Sequence, residues 1–533
     1  MWAAAKFEAN IVMKSPYPQA FESAIAIASR VKRGTLKASD VLSAQIERIQ
    51  KHDQAINAVV VRDFDQARLE AERIDRIVQR GSERQKQALG PLAGVPITVK
   101  ESYDLAGLPS TFGRVDMRAN IAQSDALMVS RLKQAGAIVM GKTNVPVRLS
   151  DWQSFNPIYG TTNNPYDVTR VPGGSSGGGA AALAAGFSFL ELGSDIGGSI
   201  RGPAHFCGVF GHKPSIGVLS GEGHALPDAL ATADLVAYGP LARHARDLKL
   251  SFDVALGEDL AGYGLVKPAA RLARPSGWRV ALLSDAKTCP VDREIVKGLE
   301  ALGDRLEKLG MKVQRKGPPI ELEHLHKLYI RLLRAATSRG LSDQAFKEQA
   351  EVAEAYRHGT RQERKGYDYY AWMVQANTMT HREWLQAHEE RMAMARTWKA
   401  WFEEVDVLLC PVASMPAFHH MQSGERWERM IAVNGQQQPS TQTMFWAGMS
   451  TLCGLPGTAV PAGQTTKGLP FGVQVMGRAT VTRSPLPLPN YSRSTLAANS
   501  NHPRRLHPSI CGDADRSAHR LSVALPSDNW DQA

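Results

Sequence analysis

The chain has 533 residues, of which 43% are hydrophobic and 22% charged, values typical of a globular protein with a sizeable core. Its net charge of +11 is not gathered into any block of five or more basic residues, which favours a basic solvated surface over a nucleic-acid partner. The five cysteines are widely spaced and show no C-x-x-C pattern, which excludes a disulfide framework and a zinc site of the usual spacing.

The first residues lack a basic stretch followed by an apolar one, and no apolar run reaches the length of a membrane span. Together with the few cysteines, this predicts a cytoplasmic protein without a membrane span.

Hydrophobic periodicity along the first 150 residues alternates between helix and strand. It predicts helices capped by Ser39 and by Ser124, and strands at 56–61, 94–99 and 137–140. Repeated strand–helix–strand units of this kind predict an α/β fold in which helices cover both faces of a sheet.

The second half of the chain repeats this pattern around a helix-rich insert at about 320–405. Strands are predicted again at 407–409, 457–460 and 471–476. Because strands recur on both sides of the insert, we expect one large domain over 1–477. Residues 478–533 have scattered prolines and no apolar period, which predicts a tail that is either disordered or frame-shifted.

Two glycine-serine runs stand out, one at 173–178 and one at 195–199, with Ser175 and Ser199 separated by 24 residues. The first run matches G-x-S-x-G, but a nucleophile elbow needs a strand directly before it, and a turn-rich segment ending in Pro172 stands there instead. A phosphate loop is excluded because no Lys-Ser/Thr pair follows. Taken alone, this run is typical of a flexible loop.

The second run can present several backbone N–H groups to one oxygen, as an oxyanion hole requires, although a bare turn explains it equally well. Lys100 ends a predicted buried strand, and a lone lysine there is more often solvated. The three features together indicate a serine hydrolase whose base is a lysine.

At these residues the chain resembles the amidase signature family. The resemblance covers about 20–477 and is carried by 94–100, 141–144, 160–165, the two serine runs with Arg201 and 211–214, and 469–474. It implies one mixed, twisted sheet of many strands enclosed by helices. It also implies an amide hydrolase, with no metal and no organic cofactor.

Carried over by position, the resemblance implies that Ser199 is the nucleophile, Ser175 a bridging serine after a cis peptide bond, and Lys100 the base. The N–H groups of Ile196, Gly197, Gly198 and Ser199 would form the oxyanion hole. Leu149, Trp152 and Ser176 are candidates for the substrate pocket, with core packing as an equal alternative for each. Burial of Lys100 would lower its pKa and give it the neutral form that a base needs.

The expected partner is a small-molecule amide, with a weak preference for an apolar or aryl acyl group, and a homodimer is one option for the assembly. Two alternatives stay open. The first alternative is that the chain is the amidase subunit of a tRNA-dependent amidotransferase. The second is that it is a catalytically impaired relative that acts as a binding protein. His212 stands where the family usually has an apolar residue, and we interpret it as structural.

Overall fold

The computed structural model describes residues 18–478, except for 228, 230, 257–276 and 364–365. Apart from Gly477 and Arg478, the tail lies outside the described residues, so its predicted disorder or frame shift stays a prediction. None of the helices within the described ranges has the length and apolar character needed to cross a membrane.

The described residues contain fourteen α-helices, and their bounds are as follows: α1 Ala24–Lys32, α2 Ala38–Ile56, α3 Phe64–Arg80, α4 Glu83–Ala88, α5 Leu127–Gln134, α6 Gly177–Ala184, α7 Arg201–Cys207, α8 Ala245–Leu256, α9 Arg293–Lys308, α10 Leu322–Thr337, α11 Asp343–Arg357, α12 Tyr367–Asn377, α13 His381–Trp401 and α14 Met444–Thr451. The strands are β1 Val59–Arg62, β2 Val95–Lys100, β3 Ala137–Thr143, β4 Phe155–Asn156, β5 Gly160–Thr161, β6 Leu190–Asp195, β7 Phe210–Lys213, β8 Ala237–Ala242, β9 Arg279–Leu282, β10 Lys312–Gln314, β11 Val407–Pro411, β12 Met430–Val433, β13 Gln436–Pro439, β14 Gly457–Gln464 and β15 Pro470–Met476.

Eleven of these strands form one sheet in the order β1-β3-β2-β6-β8-β7-β14-β15-β11-β9-β10. The sheet is mixed: β2 pairs in parallel with both β3 and β6, whereas β8 pairs in antiparallel with β6 and β7. The predicted α/β class with a large mixed sheet is confirmed.

Both faces of the sheet are buried. Because successive side chains of a strand point to opposite faces, Leu241 and Ala242 of β8 join two different apolar clusters. Leu241 packs in the smaller cluster with α6 and α7, and Ala242 packs in the larger one. Gly211 of β7 sits so close to α7 that an added Cβ would lie 2.9 Å from the Cβ of Ala204. This face therefore holds α7, and with it the second serine run, against the sheet.

The predicted helix caps were wrong, for a reason that lies in tertiary structure. Helix α2 begins at Ala38, before Ser39, and the carboxylate of Asp75 in α3 accepts the N–H groups of Ala38 (2.7 Å) and Ser39 (3.1 Å). A distant side chain thus supplies the cap that Ser39 was predicted to provide. Helix α5 has Ala126 at its N-cap, with no side-chain cap from Ser124.

Candidate active site

The site lies where the parallel strands β2 and β6 end. Lys100 is the last residue of β2, and Asp195 is the last residue of β6. The carboxyl ends of neighbouring parallel strands meet at one edge of a sheet, which is the usual place for a ligand site in an α/β fold. The second serine run follows β6 directly, and Ser175 lies in the loop that leads into α6.

Lys100 is fully buried, and its Nζ donates hydrogen bonds to two hydroxyl oxygens. Ser175 Oγ accepts at 2.7 Å and Ser194 Oγ accepts at 3.0 Å. Burial lowers the pKa of Lys100 to about 7, although the charges of Asp195 and Glu191 act in the opposite direction. The amine is therefore held in the range where its neutral form is well populated at neutral pH.

Glu191, whose charge acts on Lys100, is also buried. Its carboxyl group accepts hydrogen bonds from Thr98 Oγ1 (2.5 Å) and Thr143 Oγ1 (2.9 Å). Burial raises the pKa of Glu191, despite these hydrogen bonds and the charge of Lys100. The same desolvation thus favours the uncharged form of both groups, which is the form that a lysine base requires.

The two serine runs are held against each other by backbone contact. The Gly174–Ser175 peptide bond is cis, as the resemblance implied, and the N–H of Ser176 donates to the carbonyl oxygen of Ser199 at 3.1 Å. Ser199 is only 6% exposed, and it lines a cavity of about 90 Å³. Ser175 is only 1% exposed, and its Oγ accepts the hydrogen bond from the amine of Lys100.

The loop after β6 is fixed by a buried carboxylate. Asp195 accepts the N–H groups of Gly198 (2.9 Å) and Ile200 (3.0 Å). Burial alone would disfavour its charge, but the charge and hydrogen bonds of Arg201 outweigh this and hold the pKa of Asp195 well below its usual range. The N–H of Gly198 is thus occupied, although it was expected in the oxyanion hole.

Two aromatic donors hold the carbonyl groups of the same loop. Tyr329 of α10 donates its hydroxyl to the carbonyl oxygen of Ile196 at 2.9 Å, and Trp152 donates Nε1–H to that of Gly197 at 2.8 Å. Among the described residues, the backbone N–H groups of Ile196, Gly197 and Ser199 have no hydrogen-bond partner. These three groups are free to bind a negatively charged oxygen.

Arg201 connects this loop to the far side of the site. It pairs with Asp195 at 2.7 Å and also donates to Ala447 O, Ser450 Oγ, Thr451 Oγ1 and Gln474 Oε1. These four acceptors lie on α14 and β15, so one guanidinium of α7 connects the end of β6 with both of these elements.

Replacing Arg201 by methionine is expected to lower the free energy of unfolding by about 3–5 kcal/mol, because Asp195 would stay buried without its partner. Urea denaturation measures this loss. Arg30→Met is the control, because its ion pair with Glu22 is about one-third exposed and is expected to contribute under about 1 kcal/mol. Equal losses in the two variants would contradict the structural role of Arg201.

Of the residues predicted for substrate binding, Leu149 and Trp152 line the cavity with Ser199, whereas Ser176 does not. The side chain of Ser176 is buried, and its hydroxyl has no hydrogen-bond partner within the described ranges. His212 is buried in β7, with Nδ1 at 2.8 Å from Thr458 Oγ1, as expected of a structural residue.

Sequence reasoning missed Ser194, Glu191 and Tyr329. Ser194 directly precedes the second serine run, and this adjacency in the sequence could have indicated that it lies in the site. Tyr329 is 133 residues from its partner Ile196, and the chain carries no local signal for that contact. Among the described ranges, no group of three or more His, Cys, Asp or Glu residues is arranged to hold a metal ion.

Comparison with known proteins decides the family. The model of the amidase family matches residues 40–481. The chain belongs to the amidase family. Fatty-acid amide hydrolase 2-A from Danio rerio is 31% identical over 470 residues, which cover 85% of each chain. One of the subunits of the glutamyl-tRNA(Gln) amidotransferase from Cyanothece sp. is 30% identical over 472 residues, 83% of this chain and 91% of that protein.

Among solved structures, 6-aminohexanoate cyclic dimer hydrolase in complex with its substrate superposes with a TM-score of 0.69 at 26% identity. The match covers 86% of this chain and 94% of that one. The amidase family match and these relatives confirm the prediction that the chain is an amide hydrolase.

Proposed function

We propose that this amidase cleaves the C–N bond of its substrate through an acyl-enzyme on Ser199, with Ser175 and Lys100 as the proton relay. The observation that carries the proposal is the 2.7 Å contact between Lys100 Nζ and Ser175 Oγ in a fully buried setting. A buried amine with a pKa of about 7 has the basicity that general-base catalysis at neutral pH requires.

In the first half of the reaction, Ser199 Oγ forms a bond to the carbonyl carbon of the amide. Its proton passes to Ser175 Oγ while the proton of Ser175 passes to neutral Lys100. The carbonyl π electrons move to the oxygen, and the resulting anion is bound by the free N–H groups of Ile196, Gly197 and Ser199.

When the tetrahedral intermediate collapses, the C–N bond breaks and the relay runs in reverse. Lys100 returns a proton to Ser175, and Ser175 protonates the nitrogen, which leaves as ammonia or an amine. Water then attacks the acyl-enzyme with the same relay as base, releases the carboxylic acid and restores Ser199.

The pH dependence follows from the state of Lys100. The amine must be neutral to accept a proton, so we expect kcat/KM for an amide to rise about tenfold per pH unit below pH 7 and to level off above it. Initial rates between pH 5 and 9 measure this. A profile that is flat across pH 6–8 would contradict the assigned base.

Measurements of amide turnover, with and without glutamine and partner subunits, separate the proposed function from its two alternatives. Release of ammonia from a simple primary amide, by the purified chain without glutamine or partner subunits, supports a stand-alone amidase. Turnover that requires glutamine and added subunits would instead favour an amidotransferase subunit, the role named for the Cyanothece relative. Absence of both would favour the binding-protein alternative.

The four cysteines within the described residues, Cys207, Cys289, Cys410 and Cys453, are all free thiols, which supports the proposed cytoplasmic location. A homodimer stays a prediction, and light scattering of the purified protein tests it.

Apolar groups of Leu149, Trp152 and Phe418 line the cavity beside Ser199, which supports an apolar portion in the substrate.

A further inference from the structure

The cavity that contains Ser199 carries an excess of positive charge. Three guanidinium groups line it, those of Arg334, Arg426 and Arg429, and Asp151 is the single carboxylate among its described lining residues. Asp151 is already engaged, because Arg429 Nη1 donates to its Oδ2 at 2.6 Å. Arg334 and Arg426, by contrast, form no ion pair within the described part of the chain.

Arg334 lies on α10 and is only 8% exposed. Its Nη2 donates to the hydroxyl of Tyr369 at 2.8 Å, which is a neutral acceptor, and its buried Nε has no hydrogen-bond partner among the described residues. A guanidinium stays protonated under all ordinary conditions, so this is a buried charge with an unused donor beside the substrate cavity.

Arg426 approaches the same place from the segment before β12. Its Nη1 donates to the backbone carbonyl oxygen of Ser150, again a neutral acceptor. Burial and the nearby charge of Arg334 lower the pKa of Arg426, against the charge of Asp151. The positive charge of Arg334 thus disfavours that of Arg426, and an anion bound beside Arg426 would offset this repulsion.

The cavities that Arg334 and Arg426 line indicate which part of a ligand these two residues would contact. Arg334 and Arg426 also line a larger adjoining cavity of about 1960 Å³, together with Leu149, Ser150 and Thr337. They therefore stand where the small cavity of the nucleophile opens into the larger one. One substrate molecule can therefore contact both Ser199 and these arginines, because all three line the same small cavity.

We propose that Arg334 and Arg426 bind a carboxylate of the substrate, so that the amidase acts on amides that carry an anionic group as well as an apolar portion. A carboxylate matches the fork of guanidinium donors and supplies the missing charge. This inference rests on the proposed function, since it assigns the reacting amide to Ser199.

The carboxylate belongs either to the acyl part or to the leaving amine, and two substrate pairs distinguish these. The monoamide of adipic acid is compared with hexanamide for the acyl part, and N-benzoylglycine with N-ethylbenzamide for the amine part. We expect kcat/KM for the anionic member of one pair to exceed that of its neutral partner by at least about tenfold.

The variants Arg334→Gln and Arg426→Gln are expected to lower that preference by at least about tenfold, and Arg334→Lys is expected to retain part of it. Arg148→Gln is the matched control. Arg148 lines only the larger cavity and donates to the carbonyl oxygen of Gly340, so its removal takes away one nearby charge but should leave the preference intact.

Equal turnover of both members in both pairs by the unchanged enzyme would overturn the carboxylate site and leave the proposed function standing. A preference that persists in both glutamine variants would overturn it as well. If none of the four amides is hydrolysed and a fluorophosphonate fails to label Ser199, the proposed function falls together with this inference. The comparison in the unchanged enzyme decides the matter even where a variant does not fold.

Discussion

Replacing Ser199 by alanine is expected to lower kcat for a simple amide by at least about ten-thousand-fold, because no other hydroxyl takes its place. Removal of the nucleophile in a serine hydrolase typically costs about this much or more, and what remains comes from binding and the oxyanion hole. Ser175 is not expected to substitute for it, because its side chain is only 1% exposed and is hydrogen-bonded to Lys100.

Covalent labelling gives the second measurement for this variant. A fluorophosphonate should label the unchanged enzyme once, at Ser199, and should not label Ser199→Ala. Ser29→Ala is the control, because that hydroxyl lies on α1 and only accepts a hydrogen bond from Arg33. Retention of labelling or of amide turnover in Ser199→Ala would remove Ser199 from the role of nucleophile.

The residues that could be predicted from the sequence are those whose geometry is set locally. Lys100 ends a short buried strand, and each serine lies in a glycine-rich run, so the strand and the loops position these side chains with few contributions from elsewhere. The main strands were found for the same reason, since a continuous apolar run marks a buried strand wherever it occurs.

The residues that could not be predicted are brought to the site by topology. Tyr329, Arg334 and Arg426 follow Ser199 by more than 100 residues, and they contact the site only because the chain returns to it after β10. Tyr329 and Arg334 are ordinary members of a helical pattern in α10. Nothing in their neighbours indicates that one holds the loop after β6 and the other faces the cavity.

Two predicted hydrogen-bonding roles differ from those in the structure, because a more distant acceptor takes the place of the predicted partner. Ser39 was predicted as a cap but bonds to Asp75 of α3, and Gly198 was expected in the oxyanion hole but donates to Asp195. In both cases the group donates to a buried carboxylate instead of taking the role that the sequence suggested. A hydrogen bond to a charged carboxylate is stronger than one to a neutral acceptor. A single sequence shows which groups can donate, but the fold decides which acceptor each one reaches.

The proposed catalytic groups and the contacts that support them are encoded in different parts of the chain. The amine of Lys100 and the two hydroxyls come from the strand end and the glycine-rich runs, while the orientation of the free N–H groups depends on Tyr329, Trp152 and the Asp195–Arg201 pair. The proposed chemistry thus depends on short motifs, and the geometry of the loop that takes part in it depends on long-range contacts. This is why the amidase could be predicted before its fold was known in detail, and its substrate could not.

Lys100→Ala should separate amide from ester hydrolysis. The relay must deliver a proton to the nitrogen of an amide, whereas an ester releases an alkoxide that needs less assistance. We therefore expect kcat/KM for an amide to fall by about a thousandfold or more. The fall in kcat/KM for the ester of the same acid is expected to be smaller by a factor of at least about ten. Parallel rates on such a pair measure the difference.

Lys142→Ala provides a matched control for this experiment. Lys142 is another buried lysine, in the neighbouring strand β3, and burial lowers its pKa to about 8 as well. Its Nζ donates to Pro109 O and Ser110 Oγ, away from Ser175, so its loss is expected to reduce stability without changing the ratio of amide to ester turnover. If Lys100→Ala lowers both rates equally, or Lys142→Ala shifts the ratio as strongly, the amine of Lys100 does not carry the proton to the leaving nitrogen.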